Sequence, residues 1–279
     1  MNEYEWTDHY QELTERNIGI ISIEEQEILR QAHVGVFGVG GIGCRIAEIL
    51  VRSGCENLSI IDRDTYSISN LNTQFITKAD IEKYKVDVLA KKFQEINPNV
   101  TIHTYKSVDE NNIKSILEGI DVGSLSLDGP IGSILVAREC WRRKIPLVEA
   151  WSLPYLFAWW FTGENTDYET CYKLDTNNMS YSELRSMPNL PQHFRNRVFA
   201  LFEKFPNFHE YYGHEKKTVE NMRNGGISLR SFAPFVFLSG GYLAFELIFT
   251  GILKRKEMTM APEICSFNVF DTNIESFRL

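Results

Sequence analysis

The chain has 279 residues, 43% hydrophobic and 24% charged, with 29 Lys+Arg against 37 Asp+Glu and a net charge of -8. This balance excludes a disordered or low-complexity chain and leaves ample length for a buried core. It also argues against a general nucleic-acid binder, which needs a basic surplus.

Residues 1–31 read as a polar, helix-prone arm. No apolar signal region occurs before Tyr10, so a cytoplasmic location is expected. His33–Phe37 is an apolar strand, followed at once by Gly38-Val39-Gly40-Gly41-Ile42-Gly43. Helical spacing over 44–52 and a strand over 57–61 complete a strand–turn–helix–strand unit, the start of a doubly wound parallel sheet. The alternation continues with helices over 80–96, 111–120 and 131–144 and strands over 100–105, 122–127 and 146–150. The aromatic run 151–162 reads as antiparallel strands. Residues 175–226 read as an insert of two or three short helices, and 267–277 as a final strand pair.

The segment 232–254 is an apolar helix, and 234–253 within it has about the 20 residues that a bilayer requires. Glu246 lies well inside it, so a core or interface helix is expected and no membrane contact. The five cysteines, Cys44, Cys55, Cys140, Cys171 and Cys265, include no Cys-x-x-Cys pair. Neither a disulfide framework nor a four-cysteine zinc site is expected.

Gly38, Gly40 and Gly43 fit the G-x-G-x-x-G pattern after a strand and before a helix. Glycine lets the chain turn tightly and lets a phosphate approach the free N–H groups of the helix. Asp62 stands 19 positions beyond Gly43, about where an acid meets a ribose hydroxyl. The pattern indicates a nucleotide and leaves NAD and ATP open. The polar tract Ser69-Asn70-Leu71-Asn72-Thr73-Gln74 favours ATP, because a triphosphate site needs ribose acceptors and amide donors. Lys85 can supply a cation at the α-phosphate. Asp128, at the end of the fourth strand, can hold Mg²⁺.

In their order and spacing, these motifs resemble the ThiF/MoeB/HesA adenylyltransferases, relatives of the ubiquitin-activating enzymes. The resemblance covers 16 to about 150 and rests on Arg16-Asn17, the glycine run with Cys44, Arg52-Ser53-Gly54 and Asp62-x-Asp64. It continues through the 69–74 tract, Lys85, Ile96-Asn97-Pro98 and Asp128, and returns in Ala233-Pro234 through Gly240-Gly241 to Glu246. It implies a Rossmann-like, mostly parallel sheet flanked by helices, with antiparallel strands and a helical insert in the C-terminal half. The expected divisions are a helical arm (1–31), an ATP-binding domain (32–150) and a C-terminal part (151–279) whose insert 175–226 contacts substrate or the dimer mate.

The resemblance further implies that a carboxylate attacks the α-phosphate of ATP and releases pyrophosphate. The carboxylate is the C-terminus of a ubiquitin-like sulfur-carrier protein or of a short precursor peptide. Gly41 would close on the phosphates, Asp62 would bind ribose, and Asp64, Ser69, Asn70 and Asn72 would line the nucleotide. Lys85 would neutralise the α-phosphate and Asp128 would hold Mg²⁺. Arg16 would reach the neighbouring site of a homodimer.

Some positions depart from the family pattern. Thr73 stands where the family usually has Arg, so either another cation, Arg63 or one in 175–230, substitutes, or ATP is held differently. The zinc knuckles are missing, and Cys171-Tyr172-Lys173-Leu174 is a first knuckle without its second cysteine, so no structural zinc is expected. Cys171 is read as a packing cysteine before a nucleophile. The aromatic residues Phe194, Phe199, Phe202, Phe205, Phe208, Tyr211 and Tyr212 fit either a peptide clamp or a lid packed on its own subunit. His209 and His214 have no metal-ligand spacing. The competing readings are an NAD-dependent oxidoreductase and a non-catalytic nucleotide-binding relative.

Overall fold

The computed structural model describes residues 4–211 and 215–279. The first three residues of the arm, Tyr212 and His214 lie outside the described residues. The arm forms helices α1 (Asp8–Thr14) and α2 (Ile23–Gln31). Thr7 caps the first, and Ser22 with Glu25 forms a reciprocal cap on the second. Tyr10 donates to the carbonyl of Gly54 at 2.9 Å, and Gln26 donates to Ser53 O at 2.9 Å. The Arg52-Ser53-Gly54 turn is therefore the seat of the arm.

Strands β1 (His33–Phe37), β2 (Asn57–Ile61), β3 (Thr101–Tyr105), β4 (Val122–Leu125) and β5 (Leu147–Glu149) run parallel. Helices α3 (Gly41–Arg52), α4 (Lys85–Ile96), α5 (Ile113–Ile116) and α6 (Pro130–Arg143) connect them. Strand β6 (Tyr155–Phe157) leaves this sheet, and β7 (Trp159–Phe161) closes it by pairing antiparallel with β5. The order is β3-β2-β1-β4-β5-β7. Phe37 is level with both Ile61 and Leu125, so the chain leaves β1, β2 and β4 at one edge. The order reverses between β1 and β4, and a crevice opens there, as it does in doubly wound sheets. Apart from the intermediate first residues of β1 and β2, β1, β2 and β4 are buried throughout, as strands covered on both faces must be.

Three expected boundaries are corrected. The helix expected over 80–96 begins at Lys85, because Thr77 and Asp80 close their own turn and Glu82 takes a left-handed φ of 69°. The helix expected over 111–120 is a single turn, Ile113–Ile116. The strand pair expected over 267–277 is β8 (Glu263–Asn268) with β9 (Asn273–Arg278); of the two antiparallel strands in 151–162, β6 joins this pair in a second sheet, β6-β8-β9.

The insert holds four helices among the described residues, after α7 (Tyr168–Tyr172): α8 (Tyr181–Ser186), α9 (Leu190–Phe202), α10 (Phe208–Tyr211) and α11 (Lys216–Arg223). Phe194, Phe199, Phe202, Phe205 and Phe208 are buried within the subunit. Most of the aromatic character read from the insert therefore belongs to its own core.

Charge is closed off where α6 and β5 meet the C-terminal half. Arg138 on α6 grips Glu169 through two bonds of 2.7 Å and donates to the carbonyls of Thr176 and Met179. This knot fastens the start of the insert to the sheet layer. Glu149, at the end of β5, is fully buried and accepts from Tyr172 at 2.7 Å, Tyr168 at 3.2 Å and Trp159 at 3.2 Å. Burial pushes its carboxyl up to about 7 despite these donors. The thiol of Cys171 is buried, and burial with the charges of Glu149 and Asp167 raises it well above the ordinary thiol range. A thiolate nucleophile is disfavoured there.

Helix α12 (Ala233–Phe245) continues as a π-helical stretch, Glu246–Ile252. Length and composition alone would let Ala233–Ile252 cross a membrane, and just over half of it is buried in the protein. A Cβ on Gly240 would lie 2.7 Å from Arg45 Cβ and 3.2 Å from Ile42 O, so this glycine lets α12 lie close against α3. Glu246 is buried and paired with Lys256 at 2.7 Å and Trp160 at 3.3 Å.

Candidate active site

The glycine turn is fixed by its own backbone geometry. Gly38 has φ 97°, and a Cβ there would lie 2.3 Å from Ser126 O. A Cβ on Gly43 would lie 1.8 Å from Gly38 O. These two positions admit only glycine. Gly40 has open space around it, and the first-turn N–H groups of α3 have no side-chain cap among the described residues. Gly41 is packed against Val236 of α12 and Thr73.

Asp62 emerges from β2 and is buried. Its Oδ2 accepts from Val39 N at 3.0 Å and its Oδ1 from Asp64 N at 2.9 Å. Asp62 thus sets the turn, while Asp64 is the exposed member of the pair. Lys85, buried on the first turn of α4, lies 3.0 Å from Asp64 Oδ2 and 3.7 Å from Asp62 Oδ1. A compact cation is therefore held at the crevice by two carboxylates.

Asp128 follows the end of β4 and is exposed to solvent. Desolvation is the main cause of its raised carboxyl; Lys85 lowers it, and Asp62 and Asp64 raise it. Asp128 therefore lies within electrostatic range of the Asp62, Asp64 and Lys85 group.

The 69–74 tract is less uniform. Ser69 is exposed and bonds Ser67, and Asn70 Oδ1 accepts from Ser67 N, closing their turn. Asn72 donates to Ser231 O at 3.1 Å and so ties the tract to the lead into α12. Thr73 is buried, and a Cβ on Gly41 would lie 3.4 Å from its hydroxyl. Arg63 is the exposed cation nearby, 3.9 Å from Asp64. Arg16 is exposed and forms no ion pair among the described residues.

Sequence reasoning missed Ser126. Its backbone N–H continues β4 to Phe37 O at 2.7 Å, and its buried hydroxyl has no partner, directly behind Gly38. Its only signal was a position two before Asp128. Tyr66 Oη and Gln74 Oε1 are likewise buried without partners.

The family model named ThiF family matches residues 14–279. Among curated relatives, the molybdopterin-synthase adenylyltransferase of Haemophilus influenzae is 29% identical over 46% of this chain and 54% of its own. The ubiquitin-like modifier-activating enzyme 5 of Bombyx mori is 35% identical over 40% of this chain and 28% of its own. The tRNA threonylcarbamoyladenosine dehydratase of Bacillus subtilis is 31% identical over 48% and 54%. The chain spans about half or less of the length of these relatives. Among solved structures, PaaA superposes on 100% of this chain and 86% of its own with a TM-score of 0.69 at 18% identity. Escherichia coli MccB, crystallised with AMPCPP and MccA, covers 100% and 73% with a TM-score of 0.66 at 18% identity. At these identities the likeness is one of fold.

Proposed function

The chain belongs to the ThiF family, and from that premise we propose that it is an ATP-dependent adenylyltransferase that activates a C-terminal carboxylate. The observation that carries this reading is the crevice itself. The N-terminus of α3 has no side-chain cap, Lys85 is held at 3.0 Å by Asp64, and Asp128, after β4, is within electrostatic range of Lys85. A site for three phosphates requires this combination of backbone donors, one buried cation and one acid. One oxygen of the incoming carboxylate attacks the α-phosphorus. The bond from that phosphorus to the α–β bridging oxygen breaks, and pyrophosphate leaves with the electron pair. The product is an acyl-adenylate.

The residues have separate tasks in this reading. Gly38, Gly40, Gly41 and Gly43 shape the phosphate turn. Asp62 holds that turn, and Asp64 faces the ribose, with Ser69, Asn70 and Asn72 along the nucleotide. Lys85 moves between Asp64 and the α-phosphate as charge builds there. Asp128 fits a Mg²⁺ ion, because a hard oxygen donor whose ionised form is disfavoured by its surroundings gains from a cation. Among the described residues no group of three or more His, Cys, Asp or Glu gathers for a metal, which suits an ion that takes its other ligands from phosphate and water. When bound, the ion supplies charge neutralisation at the phosphates.

A homodimer is part of this proposal. Arg16 is exposed and forms no ion pair among the described residues, and α12 presents Phe237, Leu238 and Phe245 outward, each more than two-fifths exposed. Arg255 joins Glu25 and Ile20 O, so the turn that follows Arg16 lies beside the end of the α12 continuation. The substrate in this proposal is a precursor peptide ahead of a ubiquitin-like carrier, supported by the likeness in fold, over the whole of this chain and 73% of the other, to MccB crystallised with MccA.

Calorimetric titration with ATP and with NAD, followed by ATP–pyrophosphate exchange with carboxylate peptides, tests the function. ATP binding with exchange is expected. NAD binding, or ATP binding without exchange for any carboxylate, contradicts it. Asp128→Ala and Arg16→Ala should each lose exchange, and mixed dimers of the two should recover part of it if sites are shared.

A further inference from the structure

A cavity of about 190 Å³ lies between α11, the residue Ser152 after β5 and the start of α12. None of its lining residues takes part in the phosphate chemistry above. Tyr211, Val219, Met222, Phe232 and Phe235 make its walls apolar. Glu215 and Arg230 also line it; their opposite signs give the cavity no net charge preference.

Its position relates it to the reacting carboxylate. Phe232 caps α12, and Val236, one turn further on, covers Gly41. One helical turn is about 5.4 Å, and an extended chain advances about 3.3–3.6 Å per residue. Asn72 also bonds Ser231 at the cavity edge. By these lengths, a carboxylate set at the phosphate turn with its tail running along the start of α12 would have the side chains of its last two residues within reach of this cavity.

The lining then decides what those side chains are. A dry apolar cavity of roughly 150 Å³ is enough to hold a benzene ring. A Gly-Gly tail has no side chain to put there and would leave the walls wet. In addition, Ser152 Oγ, on the wall, is buried with no hydrogen-bond partner. A main-chain N–H of an extended tail would satisfy it.

We propose that this cavity receives a leucine- or phenylalanine-sized side chain from the last two residues of the substrate, with Ser152 accepting a main-chain N–H of the same tail. The enzyme then selects against Gly-Gly tails. The proposal rests on the adenylyltransferase reading and narrows its substrate class.

The test uses the full chain and N-acetylated pentapeptides of common sequence ending in Gly-Gly, Leu-Gly or Gly-Leu. Binding is titrated with the α,β-methylene analogue of ATP present, and exchange is measured with ATP. One leucine-containing tail should exceed Gly-Gly by about tenfold or more in both readouts, the discrimination expected for burying one such side chain. Val219→Trp, or Thr218→Trp if that variant does not fold, should shrink the gap to within about threefold. ATP affinity reports that either variant is folded. Exchange with no preference overturns the cavity assignment and leaves adenylation standing. Preferred binding of the leucine tail without any exchange upholds the cavity and overturns adenylation. An undiminished gap in both ATP-binding variants, or no binding preference at all, overturns the cavity assignment.

Discussion

The crevice beside β1, β2 and β4 and the seam where α6 and β5 meet residues 151–279 handle buried charge in opposite ways. In the first, Asp62, Lys85 and Asp128 face one crevice, and Ser126 keeps a buried hydroxyl without a partner. In the second, Arg138 with Glu169, Lys256 with Glu246, and the aromatic donors around Glu149 are closed on themselves. Polar groups left open to a ligand gain their value when it binds. Closed knots have their value in the fold already. Substitutions in the crevice should therefore cost chemistry, and substitutions in the knots should cost stability.

The largest expected effect lies where that division breaks down. Gly43→Ala puts a methyl group into Gly38 O, and it should cost about 3 kcal/mol or more in denaturant unfolding, together with ATP binding. A loss confined to ATP binding would show that the turn can shift without disturbing β1.

Glu149 gives the next effect. Burial lifts its carboxyl to about 7 from an ordinary 4.5, so the folded chain holds this proton more tightly than the unfolded chain does. Its contribution to stability is greatest below about pH 4.5, falls as pH rises to about 7 and is constant above. The change is about 3 kcal/mol across that window. Glu149→Gln should flatten the slope of urea midpoints over this range; an unchanged slope would mean that other groups carry it.

Arg138→Ala leaves Glu169 buried and unpaired. Arg138 is itself partly exposed, so a loss of about 2–3 kcal/mol is expected, with faster proteolysis in 175–226. An unchanged cleavage pattern would show that the insert is held elsewhere. Arg16→Ala is the opposite extreme. It removes an exposed side chain without an ion pair and should shift stability by no more than about 0.5 kcal/mol while abolishing exchange.

Much of the first half could be read from the residues, because parallel strands and their connections leave local signals. The continuous apolar run of β1, the glycines, and the apolar period of α3 each carry a mechanism within a few positions. What stayed hidden was that Asp62 is buried and Asp64 exposed, since the hydrogen bond between Asp62 and Val39 N spans 23 positions. In the second half the contacts are mostly distant. Ala158 separates two strands that join different sheets, and Arg138 meets Glu169 across 31 positions. Aromatic content alone did not show that Phe199 and Phe205 face inward while Phe232 and Phe235 line a cavity.

The fate of the carboxylate oxygen tests the central claim most directly. A peptide labelled with ¹⁸O in its C-terminal carboxylate is incubated with enzyme, ATP and Mg²⁺, and the adenylate is trapped with hydroxylamine. The account predicts one ¹⁸O in the released AMP and none in pyrophosphate. Unlabelled AMP, or label in inorganic phosphate, would contradict it.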